Sequence, residues 1–121
     1  MSRKPRILSI SYDPSLLRTR QLMLEMAGYD VVSAEGFADA LEHCTGRFDL
    51  VIVGHSIPQK DKRAIVAELH QRGCDAPLLS LLRPGEGKIP EATYGIDPFL
   101  PEQLLTSVKW ILSGKDKARR A

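Results

Sequence analysis

The residues of this chain that could do chemistry stand where its apolar runs stop. FDLVIVGHSIP, residues 48–58, is an aliphatic run that ends in Gly54 and His55. RILSIS, 6–11, ends in Ser11 and leads into Tyr12 and Asp13; APLLSLL, 76–82, ends at Leu82 and is followed by Arg83; TYGI, 93–96, is followed by Asp97 and Pro98. An imidazole titrating near ~6.5 suits a phosphoacceptor, a metal ligand or a general base. Brought together, Asp13, His55 and Asp97 would offer a divalent metal two carboxylates and an imidazole. Arg83 and Asp97, at the ends of runs expected to be neighbours, would instead pair with each other, and this is the preferred reading. If exposed, the pair adds only ~0–1 kcal/mol. His55 then reads as a part-exposed loop histidine bonded to water, and neither a metal site nor a cofactor is expected.

These residues need a scaffold that brings strand ends together. Four aliphatic or β-branched stretches, 6–11, 29–34, 49–54 and 76–82, alternate with segments of helical spacing. Asp13 and Pro14 suit the cap and first position of a helix carrying Leu16, Leu17, Met23, Leu24 and Ala27, with Gly28 as its stop. Phe37, Ala40, Leu41 and Cys44 line one face of a second helix, and Ile65, Val66 and Leu69 precede Gly73 in a third. A final helix from Pro101 carries Leu104, Leu105, Val108, Ile111 and Leu112. Strand and helix in alternation predict a parallel sheet with helices on both faces, completed by a short strand near 93–96. Residues 83–92, RPGEGKIPEA, hold two prolines and two glycines. That segment has room for a turn or two of helix at most.

In an open parallel sheet, ligands sit outside the carboxyl ends of the strands. Composition limits what could sit there. With 121 residues, 43% of them apolar, the chain makes one domain over 1–113 and a charged tail over 114–121 that reads as disordered. The net charge of +2 is small, and the basic residues cluster at the ends without interleaved aromatics, so nucleic acid is not an expected partner. Cys44 and Cys74 lie too far apart for a zinc site and read as free thiols in a reducing cytoplasm. No apolar run is long enough to cross a bilayer, so a membrane association is not expected either.

ILSISYDPSLL, FDLVIVGHSIP, APLLSLL and IDPFLPEQLL fall in the order and spacing of one known family. Over residues 5–113 the chain resembles the receiver domain of two-component response regulators. The resemblance implies a flavodoxin-like sheet of five parallel strands in the order 2-1-3-4-5, from which the composition of 83–92 departs by leaving the fourth helix short or absent. It also implies a pocket in which an acidic pair holds Mg²⁺, an aspartate ending the third strand accepts a phosphoryl group, and a hydroxyl and a lysine hold its oxygens. The matching positions here are Ser11 and Tyr12, Gly54, Leu82 and Asp97, and each departs from the family's residue type. Asp61 of the loop after the third strand is kept, while Lys62 stands where the family has glycine. Asp49 lies at the opposite end of the third strand and cannot substitute for an acceptor.

The expectation is therefore a receiver-like module of a two-component phosphorelay that acts by protein interaction without aspartyl phosphorylation. It would not be an enzyme, and a homodimer is an open alternative. Tyr12 and Leu82 would fill the emptied pocket, and Ile89, Phe99 and Leu100 would offer the first interaction surface to test. The rival reading is a small-ligand-binding or enzymatic domain using Tyr12, Asp13, His55 and Asp97. SYDPSLL after the first strand contains no glycine, so a dinucleotide's phosphates could not approach that helix start closely.

Overall fold

The computed structural model describes residues 4–43, 47–82, 94–96 and 101–113. The elements run β1 (Arg6–Ser11), α1 (Pro14–Met26), β2 (Asp30–Glu35), α2 (Gly36–His43), β3 (Leu50–Val53), α3 (Gln59–Gln71), β4 (Leu78–Leu81), β5 (Tyr94–Ile96) and α4 (Pro101–Leu112). The strands form one parallel sheet in the order β2-β1-β3-β4-β5. This is the predicted order. The segment 83–93, on which the expectation of a short fourth crossover helix falls, lies outside the described residues, as do Cys44, Ile89, Asp97, Phe99, Leu100 and the tail from 114.

Burial along the strands follows their place in the sheet. β3 and β4, flanked on both sides, are buried at every position, whereas β2 exposes Asp30 and Glu35 and β5 is only half-buried. Two apolar layers result. Leu8, Ile10, Val51 and Val53 pack with Ala40 of α2 and Ile65, Val66 and Leu69 of α3. Ile7, Leu50, Ile52, Leu79 and Leu81 pack with Leu24 of α1 and Leu104, Val108 and Ile111 of α4.

The predicted helix signals act as proposed. Asp13 Oδ1 accepts the N–H groups of Ser15 and Leu16 at 2.9 and 3.2 Å, closing the start of α1. At the other end Tyr29 N–H bonds Leu24 O and Gly28 N–H bonds Glu25 O, with Gly28 at φ 100°. This left-handed stop, which only glycine adopts without strain, turns the chain into β2. α3 ends in the same way at Gly73.

Two expectations need correction. Phe37 is 38% exposed, so it does not join the buried face of α2, whose buried residue is Ala40. In α1 the buried residues are Leu17, Arg20 and Leu24, while Leu16 and Met23 are half-buried and Ala27 is exposed at the cap. Positions i, i+3 and i+7 fix the inward stripe of a helix, and its middle member is an arginine.

Candidate functional site at the carboxyl ends of the strands

Arg20 is the residue that sequence reasoning missed. Its side chain is 6% exposed and runs from α1 to the carboxyl end of β3. There Nη2 lies 3.1 Å from Nδ1 of His55. A Cβ built on Gly54 would stand 2.9 Å from Arg20 Nη1, 3.0 Å from the carbonyl oxygen of Ile10 and 3.4 Å from Ser11 Cβ. The guanidinium therefore occupies the space that any side chain at position 54 would enter. Gly54 is the residue that leaves room for it. Burial pushes the Arg20 pKa below its ordinary value, and the charge of Asp13 works in the opposite direction.

Around this cation the groups are hydroxyls and amides. Ser11 Oγ lies 3.0 Å from Ser56 Oγ, Ser56 Oγ accepts the Tyr12 N–H at 3.0 Å, and Ser11 Oγ accepts the Asp13 N–H at 3.1 Å. These bonds tie the end of β1 to the loop after β3. Tyr12 does not fill the space beside Gly54. Its ring packs on the α2–α3 layer, and its hydroxyl donates to Asp61 Oδ2 at 2.9 Å. Desolvation, then the Asp61 hydrogen bond and charge, push the Tyr12 phenol up to about 12.

A second cation approaches the same end of the sheet from the other layer. Lys62 of α3 is 0% exposed, and its Nζ donates to Ser80 Oγ and to the Leu81 carbonyl, both at 3.0 Å. The sequence marked Lys62 only as a departure from the family's glycine. Its four-carbon stem crosses the α3 layer and brings a charge to β4, where the backbone oxygen and the serine hydroxyl solvate it.

The remaining predicted site residues separate. Asp13 is committed to the cap of α1, and His55, half-buried, meets Arg20 rather than water alone. Leu82 is half-buried, with its N–H bonded to Ile96 O at 2.8 Å. Asp49 sits at the amino end of β3, where its carboxylate accepts the Arg6 N–H. Asp97 and the proposed Arg83 pairing lie outside the described residues. No group of three or more potential metal ligands occurs among the described residues. The Mg²⁺ that the resemblance implies does not fit the residues present, because hydroxyls and a guanidinium surround Gly54 where a hard cation needs carboxylate oxygens. A groove of about 280 Å³ lies elsewhere, between β5 and α4, lined in part by Tyr94, Ile96 and Trp110.

No family model matches the chain. Among curated proteins it is 32% identical, over 97% of its length, to the DNA-binding dual master transcriptional regulator RpaA of Synechocystis, covering 53% of that protein. It is 30% identical, over 88% of its length, to the alkaline phosphatase synthesis regulator PhoP of Bacillus subtilis, covering 48%. The chain spans about half the length of these relatives. Among solved structures it superposes on the CheY-like receiver domain protein of Methanospirillum hungatei with a TM-score of 0.79 at 21% identity, covering 96% of this chain and 99% of that one. The chemotaxis regulator CheY4 of Vibrio cholerae gives 0.73 at 25% identity, covering 90% and 99%. This chain is a CheY-like receiver domain. In this receiver no helix of the described residues is long and apolar enough to cross a membrane.

Proposed function

We propose that this receiver domain serves a two-component signalling pathway in the cytoplasm by binding a protein partner, without accepting a phosphoryl group and without catalysing a reaction. The observation that carries the reading is the Arg20 guanidinium 2.9 Å from the Cβ position of Gly54. A receiver is an equilibrium between two conformations, and a phosphoryl group can shift it only through groups that bind that phosphoryl differently in each. At the position matched to the acceptor there is no side chain, and at those matched to the magnesium ligands there are Ser11 and Tyr12. Partner binding is then constitutive or governed by another input. DNA binding is named for one relative, and since the chain spans half of that protein, a nucleic-acid partner is not part of the proposal.

The test is incubation of the protein with Mg²⁺ and acetyl phosphate, followed by intact-mass measurement. The expected result is no mass increment of a phosphoryl group, alongside a conventional receiver that gains one under the same conditions. A stoichiometric increment that disappears on treatment with hydroxylamine, which cleaves acyl phosphates, would overturn the proposal.

A further inference from the structure

Among the described residues three large apolar side chains are exposed, and two of them, Leu22 and Met26, stand four residues apart on α1. Leu22 is 57% exposed and Met26 89%. The phase of the helix puts them there. Leu17, Arg20 and Leu24 hold its inward stripe, so at about 3.6 residues per turn the opposite face carries Ser15, Leu22 and Met26, with Thr19 on one flank and Arg18 and Glu25 on the other. All six are exposed.

The residues beside the apolar pair are placed for contact with a like surface. Thr19 Oγ1 donates to the Ser15 carbonyl at 2.9 Å, which commits its hydroxyl to the helix's own backbone. Gln21 Oε1 accepts from Ser33 Oγ at 2.8 Å, so the flank that Gln21 borders is the one toward β2. Arg18 and Glu25, three residues before Gln21 and four after it, share that flank. They carry opposite charges on either side of Leu22.

Such a face complements itself when reversed. In an antiparallel helix pair related by a two-fold axis, each flank meets the same flank of the second copy, and residues equally far from the axis on opposite sides come together. With the axis beside Leu22, Leu22 meets its own counterpart, Arg18 meets Glu25 of the second copy, and Glu25 meets Arg18. Met26 then lies across the small residues Ser15 and Thr19. A parallel pair would set Arg18 against Arg18 and Glu25 against Glu25. The charges therefore select the reversed arrangement.

We propose that α1 is a self-recognition surface, on which a second copy of this chain docks antiparallel about a two-fold axis beside Leu22. The proposal rests on the constitutive-binding reading above and names its partner, since a contact made wholly by α1 needs no phosphoryl group. The interface is small. A helix of 13 residues is about 20 Å long, and a contact of one such helix falls below the ~1,200 Å² of stable complexes. The dimer is consequently weak, populated at high concentration and weakened further by salt.

The experiment is sedimentation equilibrium of the whole chain from micromolar to millimolar concentration, at low and high salt. The expected result is reversible dimerisation that high salt weakens. Leu22→Ser should raise the dimer Kd at least about tenfold, by loss of apolar area at the axis. Arg18→Glu and Glu25→Arg should each raise it about tenfold, because each sets like charges together twice in the dimer. Mixed in equal amounts, those two variants should form a heterodimer of nearly wild-type affinity, since every cross-contact then joins opposite charges. All three positions are exposed, so the variants keep the fold. A wild-type chain that stays monomeric at millimolar concentration would leave the stripe to a different protein and overturn the proposal. Association that Leu22→Ser leaves unchanged would place the contact on another face, with the same consequence. A mixture of the two charge variants that stays monomeric would rule out the antiparallel pairing and the proposal with it. None of these results bears on phosphorylation, which the intact-mass measurement after acetyl phosphate decides separately.

Discussion

Two buried cations reach the carboxyl end of the same sheet, one from each helical layer, and they are solvated very differently. Lys62 Nζ donates to Ser80 Oγ and the Leu81 carbonyl, while Arg20 meets His55 with one nitrogen and leaves Nη1 unmatched. Lys62 has the bonding of a strut: a flexible stem, two strong acceptors and no exposure. Arg20 has the bonding of a group held at a cost. A buried charge with well-placed acceptors fixes structure, and one with an unused donor carries an uncompensated desolvation cost.

The difference can be broken most severely at Lys62. Lys62→Ala leaves Ser80 Oγ and the Leu81 carbonyl without their donor and a void behind them, and should lower stability by about 3 kcal/mol in urea unfolding. Lys62→Met keeps the volume but leaves the same two acceptors without a donor, and should cost about 2 kcal/mol, less than Lys62→Ala by the void. Equal losses for the two would mean that the ammonium, not the stem, carries the effect.

Arg20 should behave in the opposite sense. Arg20→Leu replaces a buried and partly unsatisfied guanidinium with the apolar residue its stripe calls for, and should raise stability by about 1 kcal/mol. In the native background Gly54→Ala must displace Arg20 Nη1 and press on the Ile10 carbonyl, at a cost of about 1–2 kcal/mol. In the Arg20→Leu background only the carbonyl contact remains. The two substitutions should therefore couple by about 1 kcal/mol in a double-mutant cycle. Strict additivity would show that the guanidinium is not seated over Gly54.

What the sequence made legible follows from how local each signal is. The Asp13 cap, the Gly28 and Gly73 stops and the alternation of strands with helices depend on neighbours a few residues away, and all were read correctly. Arg20 and Lys62 were not read, because a long cationic side chain on a helix is ordinarily a surface residue. Only Arg20's place between Leu17 and Leu24 at helical spacing could have singled it out. Lys62 gave a weaker hint, standing where the resembled family has glycine. Tyr12 was assigned to the vacated space because the partner that draws it to α3, Asp61, lies 49 residues away in sequence.

The smallest expected effect lies at that Tyr12–Asp61 contact. The Tyr12 phenol, ordinarily titrating at 10.0, is held up to about 12, so the folded state keeps a proton that the unfolded chain releases first. Its contribution is constant below about pH 10 and declines as pH rises from there through about 12. Phenolate absorbance should show one of the three tyrosines titrating late, and Asp61→Asn should bring that step back toward the ordinary value. An unchanged titration in Asp61→Asn would remove Asp61 as a cause.

The central claim is that a guanidinium has replaced the carboxylate chemistry of this pocket, and amide spectra recorded with Mg²⁺ and then with beryllofluoride, a mimic of the aspartyl-phosphate group, test it most directly. The prediction is that Mg²⁺ alone shifts nothing at residues 11–13, 54 and 82. Beryllofluoride added with Mg²⁺ should likewise shift nothing there. Saturable shifts at those residues that require Mg²⁺ would show that a carboxylate still hosts the metal, and would contradict the account.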